Sequence, residues 1–112
     1  MELHTRMVFM TLPEAEVAGA IVRKLVEEKL VACGNVLSGV TSIYRWEGNV
    51  QQDDEVLVIM KTTAQAVAPL LERAAELHPY ECPEILAIPV EEGYRPYMDW
   101  VKDCVATRGM SG

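Results

Sequence analysis

The sequence lacks long apolar runs and is short of basic residues, and each shortage excludes a class of protein. No apolar run approaches the roughly 20 residues that cross a bilayer, and residues 1–10 show no basic start followed by an apolar stretch. Lys and Arg number 10 against 17 Asp and Glu, so the formal net charge is −7. This balance disfavours nucleic acid or an anionic membrane as the main partner and favours cations. We therefore predict a cytoplasmic protein without a membrane association.

Cysteine is also scarce, and its spacing excludes two further classes. Cys33, Cys82 and Cys104 are odd in number and widely separated, which suits neither a disulfide framework nor a CxxC zinc site. If the chain were an enzyme, Cys33 would be the candidate nucleophile and His78 the candidate base. The sequence supplies no third orienting residue and no phosphate-cradling loop, so we predict that the chain is not an enzyme.

The order of predicted elements indicates an α+β protein. With 112 residues, half of them apolar, the chain is long enough for one core and too short for two domains, so we predict one domain over residues 1–112. Apolar periodicity and turn residues predict these elements in order: a strand at 3–11, a helix from a Thr11/Glu14 capping box to about 29, strands at about 36–46 and 50–62, a helix at 64–77, a strand at 84–90, a helix opened by Pro96 and a frayed tail at 108–112. The order favours a ferredoxin-like βαββαβ sandwich with a C-terminal helix, in which an antiparallel sheet carries helices on one face.

The central hairpin is too long for the domain that carries it. Glu47-Gly48-Asn49 suits a tight connection, and Ser38-Gly39 indicates a bulge or bend before it. Arms of a dozen residues reach roughly 35 to 45 Å, whereas a compact domain of this length has a radius of gyration near 13 Å. Exposed strand edges of this kind usually pair with another chain. We therefore predict partner subunits, with Tyr44 and Trp46 as aromatic anchors at their interface.

Three segments of the chain together resemble one family. They are LVACGNV at residues 30–36, the hairpin TSIYRWEG at 41–48 with its return EVLVIMKT at 55–62, and HPYECPEI at 78–85. In this order and spacing, over residues 7–100, the sequence is similar to the CutA1 divalent-cation tolerance proteins. The resemblance implies a ferredoxin-like fold, a tight homotrimer that is similar to the PII signalling proteins, and a role in tolerance of copper or other divalent metals. It implies no established reaction.

The resemblance also points to a metal site, with departures from the family pattern. Relatives are proposed to bind copper through a Cys at the end of the first strand and a His-His pair, where this chain has Met10 and Leu77-His78. The candidate metal ligands are therefore His78, Cys33 and Met10, and a divalent metal such as copper is the implied cofactor. His78 has the alternative role of a helix C-terminal cap. Cys33 has the alternative role of a small residue buried in a trimer.

A polar ligand pocket between subunits is the second candidate site. Lys61 ends an apolar strand and needs a carboxylate such as Glu84, and together with His78 and Tyr80 it forms the predicted pocket. A structural salt bridge between Lys61 and Glu84 is the alternative. The acidic run at residues 53–55 lacks the ligand pattern of a calcium loop, which favours a solvated strand end.

These observations lead to two hypotheses of function. The first is a homotrimeric, CutA1-like tolerance protein that binds a divalent metal or a small ligand weakly at clefts between subunits and acts in metal response or signalling. The second is a homotrimeric scaffold that binds another, unknown protein and has no ligand of its own.

Overall fold

The structure is a computed structural model and describes residues 4–106. Strands and helices follow one another in the predicted order, and a single 3-10 turn at Ala64–Ala66 leads into the second helix. The elements are β1 (Thr5–Leu12), α1 (Ala15–Glu27), β2 (Cys33–Trp46), β3 (Asn49–Thr63), α2 (Val67–Leu77), β4 (Ile85–Pro89) and α3 (Arg95–Cys104). None of the helices in this part of the chain is long and apolar enough to cross a membrane. The predicted tail at 108–112 lies outside the described residues.

The four strands form one sheet in the order β2-β3-β1-β4, and all neighbours are antiparallel. β1 pairs with β3 from Thr5↔Thr63 to Leu12↔Val56, and β4 pairs with the other edge of β1. Pro89 is the last residue of edge strand β4, as the sequence predicts, because proline cannot donate to a ladder. This topology confirms the ferredoxin-like α+β fold.

The core lies between the sheet and helices α1 and α2. Side chains of even-numbered residues on β1 and β3 face these helices, because strand side chains alternate between the two faces. Met10 and Met60 are completely buried there, and burying a side chain of this size stabilises the fold by about 1.5 to 3 kcal/mol. The helices contribute the apolar stripes that the sequence predicts, with these buried members: Ala18, Ile21, Val22, Leu25, Leu70 and Ala74.

The ends of α1 differ from the predicted ones. Glu14 is the N-cap and makes no side-chain capping hydrogen bond, so the predicted Thr11/Glu14 capping box was wrong. Thr11 still belongs to β1, which leaves its side chain too far upstream to cap. The helix ends at Glu27, and Lys29 reverses the chain direction with a φ of 60°.

Helix α3 packs away from the main core. Val101 and Val105 are buried against Ala32 and Ala66, and the backbone N–H of Ala106 donates to the carbonyl oxygen of Lys29 at 2.9 Å. A proline in the first turn opens this helix, as predicted, because that position needs no backbone donor. The helix therefore closes the end of the sheet where β1 begins.

The central hairpin extends past the rest of the sheet. β1 stops at Leu12, opposite Val56, so residues 38–55 form a two-stranded segment that we call the free arm. A bulge at Ser38-Gly39, where Gly39 has a φ of 85°, separates it from the base. Positive φ values of 50° and 82° at Glu47 and Gly48 form the tight turn. The long axis of the molecule measures 44 Å, so the prediction of a projecting hairpin is confirmed.

Candidate functional site

His78 lies where α2 ends, and both of its ring nitrogens are used within the chain. The side chain is 7% exposed. Its Nε2 lies 2.6 Å from the carbonyl oxygen of Thr11 and must donate, because a carbonyl oxygen can only accept. Its Nδ1 accepts the backbone N–H of Tyr80 at 3.1 Å. This neutral tautomer fixes the start of the segment 78–82 and leaves no ring lone pair for a metal.

Tyr80 connects that segment to the base of the free arm. Its hydroxyl donates to Oε2 of Glu55 at 2.8 Å, and its ring lies 4.8 Å from the His78 ring, centroid to centroid. Glu55 is only 9% exposed. Burial and the hydrogen bond to Glu55 together raise the pKa of Tyr80 to about 12. The phenol is therefore protonated at neutral pH and holds a nearly buried carboxylate.

Tyr44 and Trp46 lie on the face of the free arm that looks toward the segment 78–82. The Tyr44 hydroxyl donates to Asp53 on the neighbouring strand, and this hydrogen bond is the main reason why the pKa of Tyr44 is raised. Between the arm and the segment lies a cavity of about 340 Å³. Its lining consists of Tyr44, Trp46, Pro79, Tyr80, Glu81 and Cys82. We call this cavity the aromatic pocket.

Lys61 lies too far along the sheet to share a pocket with His78 in one chain. Thr11, which His78 contacts, is opposite Leu57, and Lys61 is four residues further along β3, or about 13 Å at the rise of a strand. The Lys61 ammonium donates to the side-chain oxygen of Asn35 on β2. The predicted partner Glu84 is an exposed residue before β4, so the expected Lys61–Glu84 contact is replaced by one to Asn35.

Cys33 is opposite Lys61 in the β2–β3 register and contacts helix α3. Its Sγ lies 3.4 Å from the hydroxyl oxygen of Tyr97, and either atom can be the donor. This contact and burial raise the pKa of Tyr97 to about 12. Cys33 thus belongs to the end of the sheet closed by α3, away from the aromatic pocket.

The three predicted metal ligands do not come together in one chain. Met10 faces the helices and is completely buried, whereas Cys33 is on the opposite face of the sheet, because it shares its register row with Lys61 and Met7. His78 has both nitrogens occupied. Within residues 4–106, no group of three or more His, Cys, Asp or Glu side chains is placed to hold a metal ion. Met10, Cys33 and His78 therefore do not fit a three-ligand copper site within one subunit.

Glu55 is the site residue that sequence reasoning missed, because it was grouped with the solvated acidic run. It directly precedes the apolar segment Val56–Met60, and that position was the available signal: a carboxylate at the edge of an apolar run needs a donor. The donor is Tyr80, from the HPY motif that the sequence had already singled out. Asn35 and Tyr97, the partners of Lys61 and Cys33, gave no such signal.

Comparison with known proteins identifies similar chains over most of the length. The model of the family described as CutA1 divalent ion tolerance protein matches residues 6–104. A divalent-cation tolerance protein CutA from Thermus thermophilus is 51% identical over 96 residues, which are 86% of this chain and 93% of the relative. The CutA protein of Mus musculus is 42% identical over 104 residues, which are 93% of this chain. The chain spans only 59% of that mouse protein.

The fold comparison agrees. The solved structure of the divalent cation tolerance protein Cut A1 from Thermus thermophilus superposes with a TM-score of 0.88 at 48% sequence identity. The match covers 91% of this chain and 99% of that one. The two proteins are therefore similar in sequence as well as in fold.

Proposed function

Because the chain belongs to the family of CutA1 divalent ion tolerance proteins, we propose that it acts as a homotrimer in divalent-cation tolerance. In this proposal the trimer works in the cytoplasm and binds a divalent cation such as copper, or a small ligand, weakly at clefts between subunits. Its proposed role is in metal response or signalling, since the resemblance to this family implies a likeness to the PII signalling proteins. The family's name describes tolerance and no reaction, and we propose no enzymatic step.

The observation that carries the trimer proposal is an uncovered apolar surface on the free arm. Cross-strand partners share a face, so Ile43 and Val50 lie on the face opposite Tyr44 and Trp46. Ile43 is 66% exposed and Val50 67% exposed. The arm has only two strands, and isolated two-stranded hairpins are marginally stable in water. Burial of this face against another subunit would stabilise the arm, and closed cyclic symmetry is the usual form of such contacts.

Solution mass tests the assembly. Light scattering at micromolar concentration should give three times the chain mass of 12.5 kDa. Ile43→Glu places a charge on the uncovered face and should shift the protein toward the monomer, whereas Ala20→Glu, on the exposed side of α1, should leave the trimer intact. A parent protein that is monomeric would reject the trimer. Stoichiometric capture of a different protein by a parent protein that is trimeric and binds no ligand would favour the scaffold hypothesis.

Calorimetry tests the metal part of the proposal separately. Because one chain does not gather Met10, Cys33 and His78, and both ring nitrogens of His78 are already engaged, the proposed site draws its donors from more than one subunit and not from His78. We therefore expect weak Cu(II) and Zn(II) binding that is retained in His78→Ala and lost with the trimer in Ile43→Glu. Loss of binding in a trimeric His78→Ala would restore His78 as a ligand. Negligible heats for both ions with the parent protein would remove metal binding from the proposal.

A further inference from the structure

The aromatic pocket has a chemical character that differs from that of a metal site. Three aromatic side chains line it, Tyr44, Trp46 and Tyr80, together with the carboxylate of Glu81, and no basic residue is part of the lining. Its volume of about 340 Å³ lies at the small end of the range for ligand sites. All lining residues belong to one chain. Tyr44 and Trp46 are also the predicted interface anchors, so the inference places their rings at a pocket that the next subunit leaves open.

Electrostatics favour a positively charged occupant. The hydroxyls of Tyr44 and Tyr80 both donate to carboxylates, Asp53 and Glu55, so neither hydroxyl proton is free to bind an anion. Both carboxylates are hydrogen-bonded to tyrosines of the lining, and Glu81 is itself part of the lining, so the charged side chains next to the pocket are negative. Aromatic faces add to this preference, because their quadrupoles attract cations.

The same arrangement disfavours a divalent metal ion as the occupant. Hard divalent cations need about six oxygen ligands in a compact shell, and the described residues offer no cluster of three acidic, His or Cys side chains for this purpose. Asp53 and Glu55 are already engaged by the tyrosines. An alkylammonium group needs no such shell and is stabilised by ring faces and one carboxylate.

The wall of the pocket formed by the segment 78–82 is held in place before any ligand arrives. His78 connects the segment 78–82 to β1 through Thr11 and to Tyr80 through the backbone. Tyr80 in turn is fixed to β3 through Glu55. A prepared site loses less conformational entropy on binding than a flexible one. From the lining, the charge and this rigidity we propose that the aromatic pocket binds a small organic cation of the alkylammonium class, with Trp46 and the tyrosines on its faces and Glu81 as counter-ion.

An NMR titration with butylammonium chloride tests the proposal, with butan-1-ol as the neutral probe of equal length. The indole N–H of Trp46 should shift in a saturable manner with butylammonium, and at least fivefold more butan-1-ol should be needed for the same shift. The indole N–H of Trp100, equally exposed but outside the pocket, is the internal control and should not move. Equal binding of the two probes, or an unmoved Trp46, would overturn the inference.

Two pairs of variants identify the groups that bind. Glu81→Gln should weaken butylammonium binding about fivefold, as expected for loss of one exposed charge contact, while Glu72→Gln on the exposed face of α2 should not change it. Trp46→Leu should weaken binding about tenfold and Trp100→Leu should leave it intact. Each variant's spectrum reports whether it is folded. Equal affinities within both pairs would contradict the assignment.

Competition separates this inference from the proposed function. At constant ionic strength, Mg²⁺ or Zn²⁺ should not displace butylammonium; displacement at equal concentration would make the pocket a divalent site and overturn the inference. A monomeric protein that still binds butylammonium would reject the trimer and uphold the pocket. A trimer that binds metal but not butylammonium would uphold the proposed function and overturn the inference about the pocket.

Discussion

The two ends of strand β3 show how differently the same strand is stabilised along its length. At the base, Met60 lies between β1 and β2, is covered by helices, and is completely buried. On the free arm, Val50 has one neighbouring strand and is 67% exposed. The base is therefore held by packing, and the arm by ladder hydrogen bonds and the positive φ values of its turn. Such an arm gains most from a contact that the isolated chain does not supply.

Truncating one side chain at the base of β3 and one on the free arm tests whether packing stabilises only the base. Met60→Ala should lower the unfolding free energy by about 2 to 5 kcal/mol, because it removes a buried side chain and leaves a cavity. Val50→Ala should change it by less than about 0.5 kcal/mol in the dissociated chain. Urea unfolding at the lowest workable protein concentration measures both. Equal losses would mean that the arm is covered within the chain.

Protein concentration sharpens the same comparison. If a second subunit covers the arm, the effect of Val50→Ala should grow as concentration rises, because association stabilises the folded state by mass action. The difference in unfolding free energy between the parent and Met60→Ala should not change with protein concentration. A Val50→Ala effect that is independent of concentration would separate the arm from the subunit contact.

Alanine substitutions at two glycines in the helix-covered region should have smaller effects on the unfolding free energy, and the two effects should be opposite in sign. A Cβ added at Gly34 on β2 would lie 2.6 Å from Cγ1 of Val22 in α1, so Gly34→Ala should lower the unfolding free energy by about 1 to 3 kcal/mol through overpacking. Gly19, inside α1, has open space around its added Cβ. Gly19→Ala should therefore raise the unfolding free energy by about 0.5 to 1 kcal/mol.

Thermal unfolding of both variants checks this pair. A destabilised Gly19→Ala, or a neutral Gly34→Ala, would mean that the helix and sheet do not pack as closely as described. Gly34 also lies in the LVACGNV segment that the sequence singled out, and the close approach of Val22 gives a packing reason for a small residue there.

The sequence predicted most of the fold because its signals were local. Apolar periodicity identified α1 and α2, and Glu47-Gly48 and Ser38-Gly39 identified the turn and the bulge. The Thr11/Glu14 capping box failed because β1 continues through Thr11, and strand pairing overrides a capping preference. Partner assignments failed more often, since the partner of the Lys61 ammonium depends on the β2–β3 register. That register places Cys33 opposite Lys61 and brings Asn35 within reach of the ammonium in place of Glu84.

The candidate site was predictable only in part for the same reason. His78 and Tyr80 are close in sequence, and their contact follows from the HPY motif. The bond between Tyr80 and Glu55 joins residues 25 positions apart, and no local pattern encodes it. The faces of the arm were likewise hidden, because the bulge decides which side chains look toward the segment 78–82.

The Tyr80–Glu55 bond joins the two regions, and its removal should have a smaller effect on the unfolding free energy than Met60→Ala. Tyr80→Phe keeps the ring and leaves the nearly buried carboxylate without this donor, which should lower the unfolding free energy by about 1 kcal/mol at neutral pH. The pH dependence is more specific. The pKa of Tyr80 is raised from 10.0 to about 12 in the folded protein, so its stabilising contribution is complete below pH 10, where both states hold the proton.

As pH rises from about 10 to about 12, the unfolded chain releases the Tyr80 proton first, and the unfolding free energy must fall. Tyr80→Phe should therefore show a shallower alkaline decline than the parent in urea titrations at pH 9 to 12. Tyr94→Phe, which removes a phenol that is 77% exposed, should decline as the parent does. A Tyr80→Phe curve parallel to the parent would mean that the segment 78–82 does not hold the arm through Glu55, and that base and arm are stabilised independently.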